Sequence, residues 1–235
     1  GIPAAIDERQ LVRSRIFDMF IGDWDRHEGQ WFWARIPTDS TSTFQPIPID
    51  RDNAFYKSDG VVMGLAQVWA FPKFQYFGDD IRNIKGINLN AQYFDRWFIN
   101  RLGKEDWIKI AGEMERSLTD SVIVQAVNQW PEPINKLNGD IFIQKLKARR
   151  EKLTDFARRY YDLLVRDVNV YGSDKPEEYI VERKQNGETS VSMYRLDETG
   201  GRKIAYHRTF SAEETNEIRL YGFGGDDLFA IKGHG

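Results

Sequence analysis

Two short acidic segments hold the side chains of this sequence best suited to chemistry. The first is Ile21-Gly22-Asp23-Trp24-Asp25-Arg26-His27-Glu28-Gly29-Gln30-Trp31, and the second is Ile47-Pro48-Ile49-Asp50-Arg51-Asp52-Asn53-Ala54-Phe55. Each sets carboxylates among aromatic or apolar residues, as expected of a polar site on a rigid floor. Donor sets made of oxygen suit hard divalent cations such as Mg²⁺ or Mn²⁺. Phosphoryl transfer asks for little beyond such ions and a carboxylate that orients or deprotonates a hydroxyl. Asp25, with the Gln30 carboxamide after it, offers the orienting group, and Asp50, behind the apolar Ile49, offers the metal-holding one. A plainer reading stays open beside this one. Asp25 and Asp50 can equally make turn and cap hydrogen bonds. His27 reads more readily as a loop-holding side chain than as a base. Arg26 is expected to pair with Asp23, Asp50 or Asp52 in a structural ionic network. Trp24, Trp31 and Trp33 read as core rather than as a ligand platform.

The elements around these segments explain how they meet. Asp7 and Gln10 form a helix-start signal, Val12, Ile16, Met19 and Phe20 recur at helical spacing, and Gly22 is the stop. Asp23–Gln30 is then the loop leaving that helix. Trp31–Ile36 reads as a strand, 38–43 as a turn, and Phe44–Ile49 as a return strand, whose Pro46 and Pro48 suit an edge. The hairpin puts the two acidic segments at one end, although Asp25 and Asp50 lie 25 residues apart. Residues 57–86 read as an irregular, aromatic-rich crossover. Helices are expected over Asn90–Leu102, Lys104–Ser117 and a short stretch after Thr119 or Asp120 that Pro131 and Pro133 stop. One long helix is expected from about Asp140 to Asp167, with Lys145, Lys147, Arg149, Arg150, Lys152, Arg158 and Arg159 on a solvated face. Beyond Tyr171 the period turns to two. Strands over 179–184, 189–196, 203–210, 217–221 and 228–232 are expected, with Gln185-Asn186-Gly187 as a hairpin turn. The Gly-Asp-rich stretch 222–227 reads as a tight turn.

The sequence therefore predicts an α+β fold. A mainly helical domain covers residues 1–170 and carries the acidic motifs on a small β-hairpin. A small antiparallel, sandwich-like β-module covers residues 171–235. Hydrophobic residues make up 41% of the 235, enough for a sizeable core. Charge is nearly balanced, with 33 basic and 36 acidic residues, so no basic stripe points to nucleic acid. Cysteine is absent, which excludes disulfides and thiolate-bound zinc. No apolar run approaches the roughly 18 residues of a membrane span. No nucleophile elbow or dinucleotide fingerprint is present, and His207 and His234 have no partners at metal-ligand spacing.

Taken together, the two acidic segments resemble the atypical kinases of the spore-coat CotH family. In that family a Trp-Asp-containing catalytic loop is followed by a segment like Pro-Trp-Asp-Leu-Asp-x-x-Phe. Here Trp24-Asp25 is similar to the first, and Pro48-Ile49-Asp50-Arg51-Asp52-Asn53-Ala54-Phe55 to the second. Asp25-Arg26-His27 is also similar to the loop of phosphoinositide and secretory-pathway kinases. The resemblance covers about residues 7–168 and implies a kinase carboxyl-terminal lobe that transfers phosphate from ATP to a protein hydroxyl. It implies Asp25, with His27 beside it, as the catalytic-loop group, Asp50 and Asp52 as metal-binding, and Gln30 near the usual metal-binding Asn. Gln is one methylene longer than that Asn. No Gly-rich phosphate loop precedes Asp25, and the first lysine is Lys57. The abrupt Gly1-Ile2-Pro3 start predicts a fragment of a longer chain, with the nucleotide-binding lobe elsewhere. A weaker resemblance is to large outer-membrane-associated proteins of Bacteroides-type bacteria, which implies an extracytoplasmic setting. The alternative is a non-catalytic structural or interaction module of the cell envelope.

Overall fold

A computed structural model describes residues 4–37, 42–57, 72–197 and 201–233. The chain is mixed α/β and divides into two compact units, one of residues 1–94 and 102–161, the other of residues 95–101 and 162–235.

The first unit is built on helix α1 (Glu8–Ile21). The Asp7 side chain accepts from the Gln10 amide at 2.9 Å, filling an orphan donor of the first turn. Leu11, Val12 and Ile16 are fully buried, and each contributes about 1.5–3 kcal/mol of burial. Ser14, Arg15 and Asp18 are buried as well, so this helix is enclosed on more than one face. Gly22 ends it at φ +73°, a left-handed conformation in which a Cβ would stand 2.8 Å from the Phe77 ring.

Strands β1 (Ala4–Ile6), β2 (Trp31–Pro37) and β3 (Ser42–Pro48) form a sheet in the order β1-β3-β2. Pro46 and Pro48 therefore lie on the central strand, not on an edge. The prolines are tolerated because β1 pairs only with residues 42–44 of β3, leaving the strand beyond them open on that side. The unforeseen β1 is too short to show periodicity.

The remaining helices of this unit match the sequence expectation over Lys104–Ser117 and differ from it elsewhere. They are α2 (Ile84–Ile87), the start of α3 (Gln92–Phe98), α4 (Lys104–Ser117), α5 (Asp120–Val127), α6 (Glu132–Arg150) and most of α7 (Leu153–Leu164). Thr119 caps α5 by accepting from Val122. Pro131 and Pro133 do not simply stop a helix, since Pro133 sits in the first turn of α6, where its missing N–H costs nothing. The expected single helix from Asp140 is two. The Thr154 amide and hydroxyl both donate to Glu115 Oε1, at 3.1 and 2.9 Å, which caps α7 from another helix and fixes the break. Residues 58–71 of the expected 57–86 crossover lie outside the described residues. Its last part is irregular, with Phe77 and Ile81 buried.

The basic face of α6 is not simply solvated. Lys147 and Arg150 pair with Asp120 at 2.8 and 2.6 Å, and Lys145 donates to the Phe77 carbonyl. Arg149 is buried and donates to the carbonyls of Met19, Phe20, Gly78 and Asp80.

The second unit holds β4 (Asp167–Ser173), β5 (Glu177–Arg183), β6 (Glu188–Leu196), β7 (Arg202–Ser211), β8 (Glu217–Phe223) and β9 (Leu228–Lys232). One sheet has the order β7-β6-β5-β9 and the other is the pair β4-β8. The β5–β6–β7 meander is antiparallel, with the turn at Gly187 (φ +80°), as the Asn-Gly signal predicts. The β-module is nevertheless not wholly antiparallel, because β4–β8 and β5–β9 are parallel pairs. The β4–β5 and β8–β9 corners nest. Asp227 accepts from the Glu177 amide at 2.9 Å, and Gly225 (φ +93°) approaches the Lys175 backbone so closely that a Cβ would meet it at 2.7 Å. The helix expected to reach Leu102 stops at Phe98. Asn100 is drawn away instead, donating to the Asn169 carbonyl at 2.7 Å and accepting from Tyr206 and Arg208.

Candidate functional site

The floor of the site is an ionic hub that sequence reading missed. Asp18, fully buried in α1, accepts from Arg15 at 2.6 Å, from Arg26 at 2.9 and 3.1 Å, and from Arg51 at 2.9 Å. Burial alone would raise its carboxyl, but Arg15, Arg26 and Arg51 outweigh it and hold the group below the ordinary range. Arg26 belongs to the first acidic segment and Arg51 to the second, so one carboxylate grips both. Arg26 also donates to Asp23 at 3.2 Å and to the carbonyls of Gln30 and Ile49. Of the partners expected for it, Asp23 is found. Asp50 and Asp52 are replaced by Asp18, because the guanidinium points into the core. Asp23 is shifted the other way: burial and the charge of Asp18 raise its carboxyl.

The end of α1 is equally closed. Its last four carbonyls all find donors: Asp18 from Asp23 N, Met19 and Phe20 from Arg149, and Ile21 from Phe55 N. The loop that carries Asp25 therefore leaves a fixed point.

On this floor the structure brings Asp25, Asp50 and Asp52 into one cluster. Asn90 donates to Asp25 Oδ1 at 2.8 Å, and Asn53 reaches Asp25 Oδ2 at 3.4 Å and Asp52 Oδ1 at 2.8 Å. The exposed Asp52 carboxyl meets that of Asp50. That hydrogen bond, the Asp50 charge beside it and the more distant Asp25 charge raise Asp52 above the ordinary carboxylate range. Asp50 is exposed and sits at φ +58°, and Phe55 at φ +60°. Such non-glycine residues mark backbone held by its surroundings. Phe55 is held by edge-on contacts with Phe77, Trp130 and Phe142.

Gln30 and His27 serve the loop. Gln30, 5% exposed, donates to Asp50 Oδ2 at 3.1 Å while its own oxygen faces Arg26 at 3.4 Å. It aims Asp50 and has no free end for a ligand. His27 Nδ1 accepts from the Gly29 amide at 3.1 Å and caps the short turn Glu28–Gln30. No hydrogen bond joins it to the three carboxylates among the described residues. Trp24 and Trp31 are buried, Trp31 stacking on Phe94 at 5.5 Å, so both are core. Sequence reading missed Asn53 and Asn90. Asn53 stands inside the second motif, but nothing local marks Asn90, 65 residues from Asp25.

No protein-family model, curated protein or solved structure matches the chain. The site is therefore judged on its own geometry. Among the described residues no group of three or more His, Asp or Glu side chains is set to hold one metal ion. The cluster is a touching pair, Asp50 and Asp52, with Asp25 joined to it through Asn53. A cavity of about 380 Å³ opens beside Arg51, lined also by Gln10, Arg13, Phe17 and Pro48. Its cations are already paired, Arg13 with Glu113 and Arg51 with Asp18. No helix among the described residues is long and apolar enough to cross a membrane.

Proposed function

We propose that the cluster of Asp25, Asp50 and Asp52 is the cation-holding and acceptor-orienting half of a phosphotransferase of the kind the CotH-like motifs imply. One observation carries this reading: two exposed carboxylates, Asp50 and Asp52, are held against each other beside a third. That arrangement raises the energy of the free protein, and a cation relieves it. The donor set fits Mg²⁺ or Mn²⁺, which take one or two carboxylates and fill the remaining positions with water and phosphate oxygens rather than needing a closed cage. Bound there, the ion would neutralise phosphate charge. The protein's own part is positioning. Asp50 and Asp52 present their oxygens, Gln30 and Arg26 fix the strand end that carries them, and Asn90 and Asn53 clamp Asp25. Asp25 then accepts a hydrogen bond from an acceptor hydroxyl. His27 and Gln30 act as loop supports rather than as base and ligand.

No lysine or Gly-rich loop precedes Asp25, so the chain alone is expected to bind the ion but to turn ATP over slowly or not at all. Calorimetric titration with Mn²⁺ alone, then with Mn²⁺ and ATP, tests the reading. Saturable binding of the ion, weakened about tenfold or more by Asp50→Asn, is the expected result; the scale is that of lost metal-site groups. Asn tolerates positive φ, so this variant should fold as well as the parent and lose only affinity. The ion must also displace the proton favoured at Asp52. Affinity should therefore climb with pH to above the ordinary carboxylate range and weaken in acid. Absence of Mn²⁺ binding at neutral pH would sink the proposal. The remaining reading would be a structural or interaction module, favoured by the polar atoms that Gln30 and His27 spend on the loop. A protein substrate and a cell-envelope setting rest on the resemblance alone.

A further inference from the structure

The sheet edges of the second unit are unequally guarded. The outer side of β4 is met by the Asn100 side chain at the Asn169 carbonyl. Strand β7 carries Arg202 and Lys203, exposed cations of the kind that discourage edge pairing. Strand β8 opens with the Glu217–Arg219 ion pair and ends at Phe223 in the left-handed region (φ +64°). Strand β9, the outer strand beside β5, has only Lys232 at its last position. Leu228, Phe229 and Ile231 are 59%, 53% and 67% exposed, so β9 is uncovered on both faces. No hydrogen bond from its backbone reaches anything but β5 among the described residues.

The order Leu228-Phe229-Ala230-Ile231-Lys232 is self-complementary about its middle residue. In an antiparallel pairing of β9 with its own copy about Ala230, Phe229 faces Ile231 of the second copy, and Ile231 faces its Phe229. Aromatic against β-branched is a favoured cross-strand pair, and the two-fold makes it twice. Phe229 already stacks on Tyr179 at 4.6 Å, so the new contact would extend an existing row. Ile231 also borders a cavity of about 280 Å³ of mixed lining, with Val181, Val191 and Phe210 beside Arg183, Thr189 and Glu217, so the seam does not rest on it. The only like pairing to avoid is absent, because Lys232 would face Leu228.

We propose that β9 is the seam of a two-fold dimer of this chain, joining the β7-β6-β5-β9 sheets of two copies into one continuous sheet. This stands apart from the carboxylate cluster. Sedimentation equilibrium of the full chain over a range of concentrations tests it. The expected result is a reversible monomer–dimer equilibrium, shifted by about tenfold or more toward monomer in both Ile231→Lys and Leu228→Lys. Both side chains are mostly exposed, so the variants should keep the parent's circular dichroism spectrum. A parent that stays monomeric at millimolar concentration overturns the proposal. So does a dimer that both variants leave intact, which would place the seam elsewhere. Polydisperse assemblies larger than a dimer overturn it too, in favour of open-ended edge pairing or of a different partner strand.

Discussion

Replacing Asp18 with Asn is expected to cost about 3–5 kcal/mol, the scale of removing one partner from a buried ionic network. The reason is geometric. Arg15 and Arg26 are buried, Arg51 is half-buried, and all three donate to this one carboxylate. An Asn offers a single neutral acceptor in place of two charged ones. Arg26 keeps Asp23, and Arg15 keeps Asn88 at 2.7 Å, which is why the loss stops short of the whole network. Urea unfolding followed by tryptophan fluorescence measures it as a lowered midpoint at unchanged slope. The pH dependence gives a second reading. The folded Asp18 carboxyl titrates below its ordinary value of 3.8. Its contribution is therefore complete above that value and is lost as pH falls through the lower, folded one. The parent should lose stability steeply in acid, and Asp18→Asn should flatten that slope. A variant as stable as the parent at pH 7 would mean that the three guanidiniums are served by water instead. The variant should also weaken Mn²⁺ binding, because Arg26 and Arg51 tie the two acidic segments to the same carboxylate.

That hub shows where sequence reading stops. The Asp25, Asp50 and Asp52 cluster could be foreseen, since a strong helix stop at Gly22 and a short hairpin force the two segments to one end. Capping at Asp7 and Thr119 and the Asn186-Gly187 turn were equally legible, because each is set by residues within four positions. Asp18 was not. Between Phe17 and Met19 it reads as an ordinary helical carboxylate, and only the fold shows that its face of α1 is enclosed. Asn90 and Asn100 act on partners 65 and 69 residues away, a reach that spacing cannot report. The parallel pairs β4–β8 and β5–β9 escaped for the same reason. A hairpin announces itself through its turn, whereas a parallel pair joins strands about 50 residues apart with no local signature. The basic stretch of α6 misled because composition gives charge but not direction.

Arg149 turns that last point into a measurement. Its guanidinium lies at the carbonyl end of α1, where the helix dipole favours a cation, and it donates to four backbone carbonyls from two segments. Burial pulls it down to about 10, with Asp80 and Asp79 pulling the other way, so it stays charged at neutral pH. Arg149→Met keeps length and apolar contact with Phe77 and Phe156 but removes every donor. Buried carbonyls left unpaired cost about 1–3 kcal/mol each, and they share relaxation, so about 3 kcal/mol or more in total is expected. Arg149→Lys should fall between the two, because an ammonium cannot reproduce a planar fork. Hydrogen exchange can separate this variant from Asp18→Asn. Losing Asp18 should loosen both acidic segments, while losing Arg149 should expose first the amides of residues 18–23 and 77–81. If Arg149→Met left protection in both stretches unchanged, the guanidinium would not be what closes α1, and the fixed origin of the Asp25 loop would have to come from Gly22 and Phe55 alone.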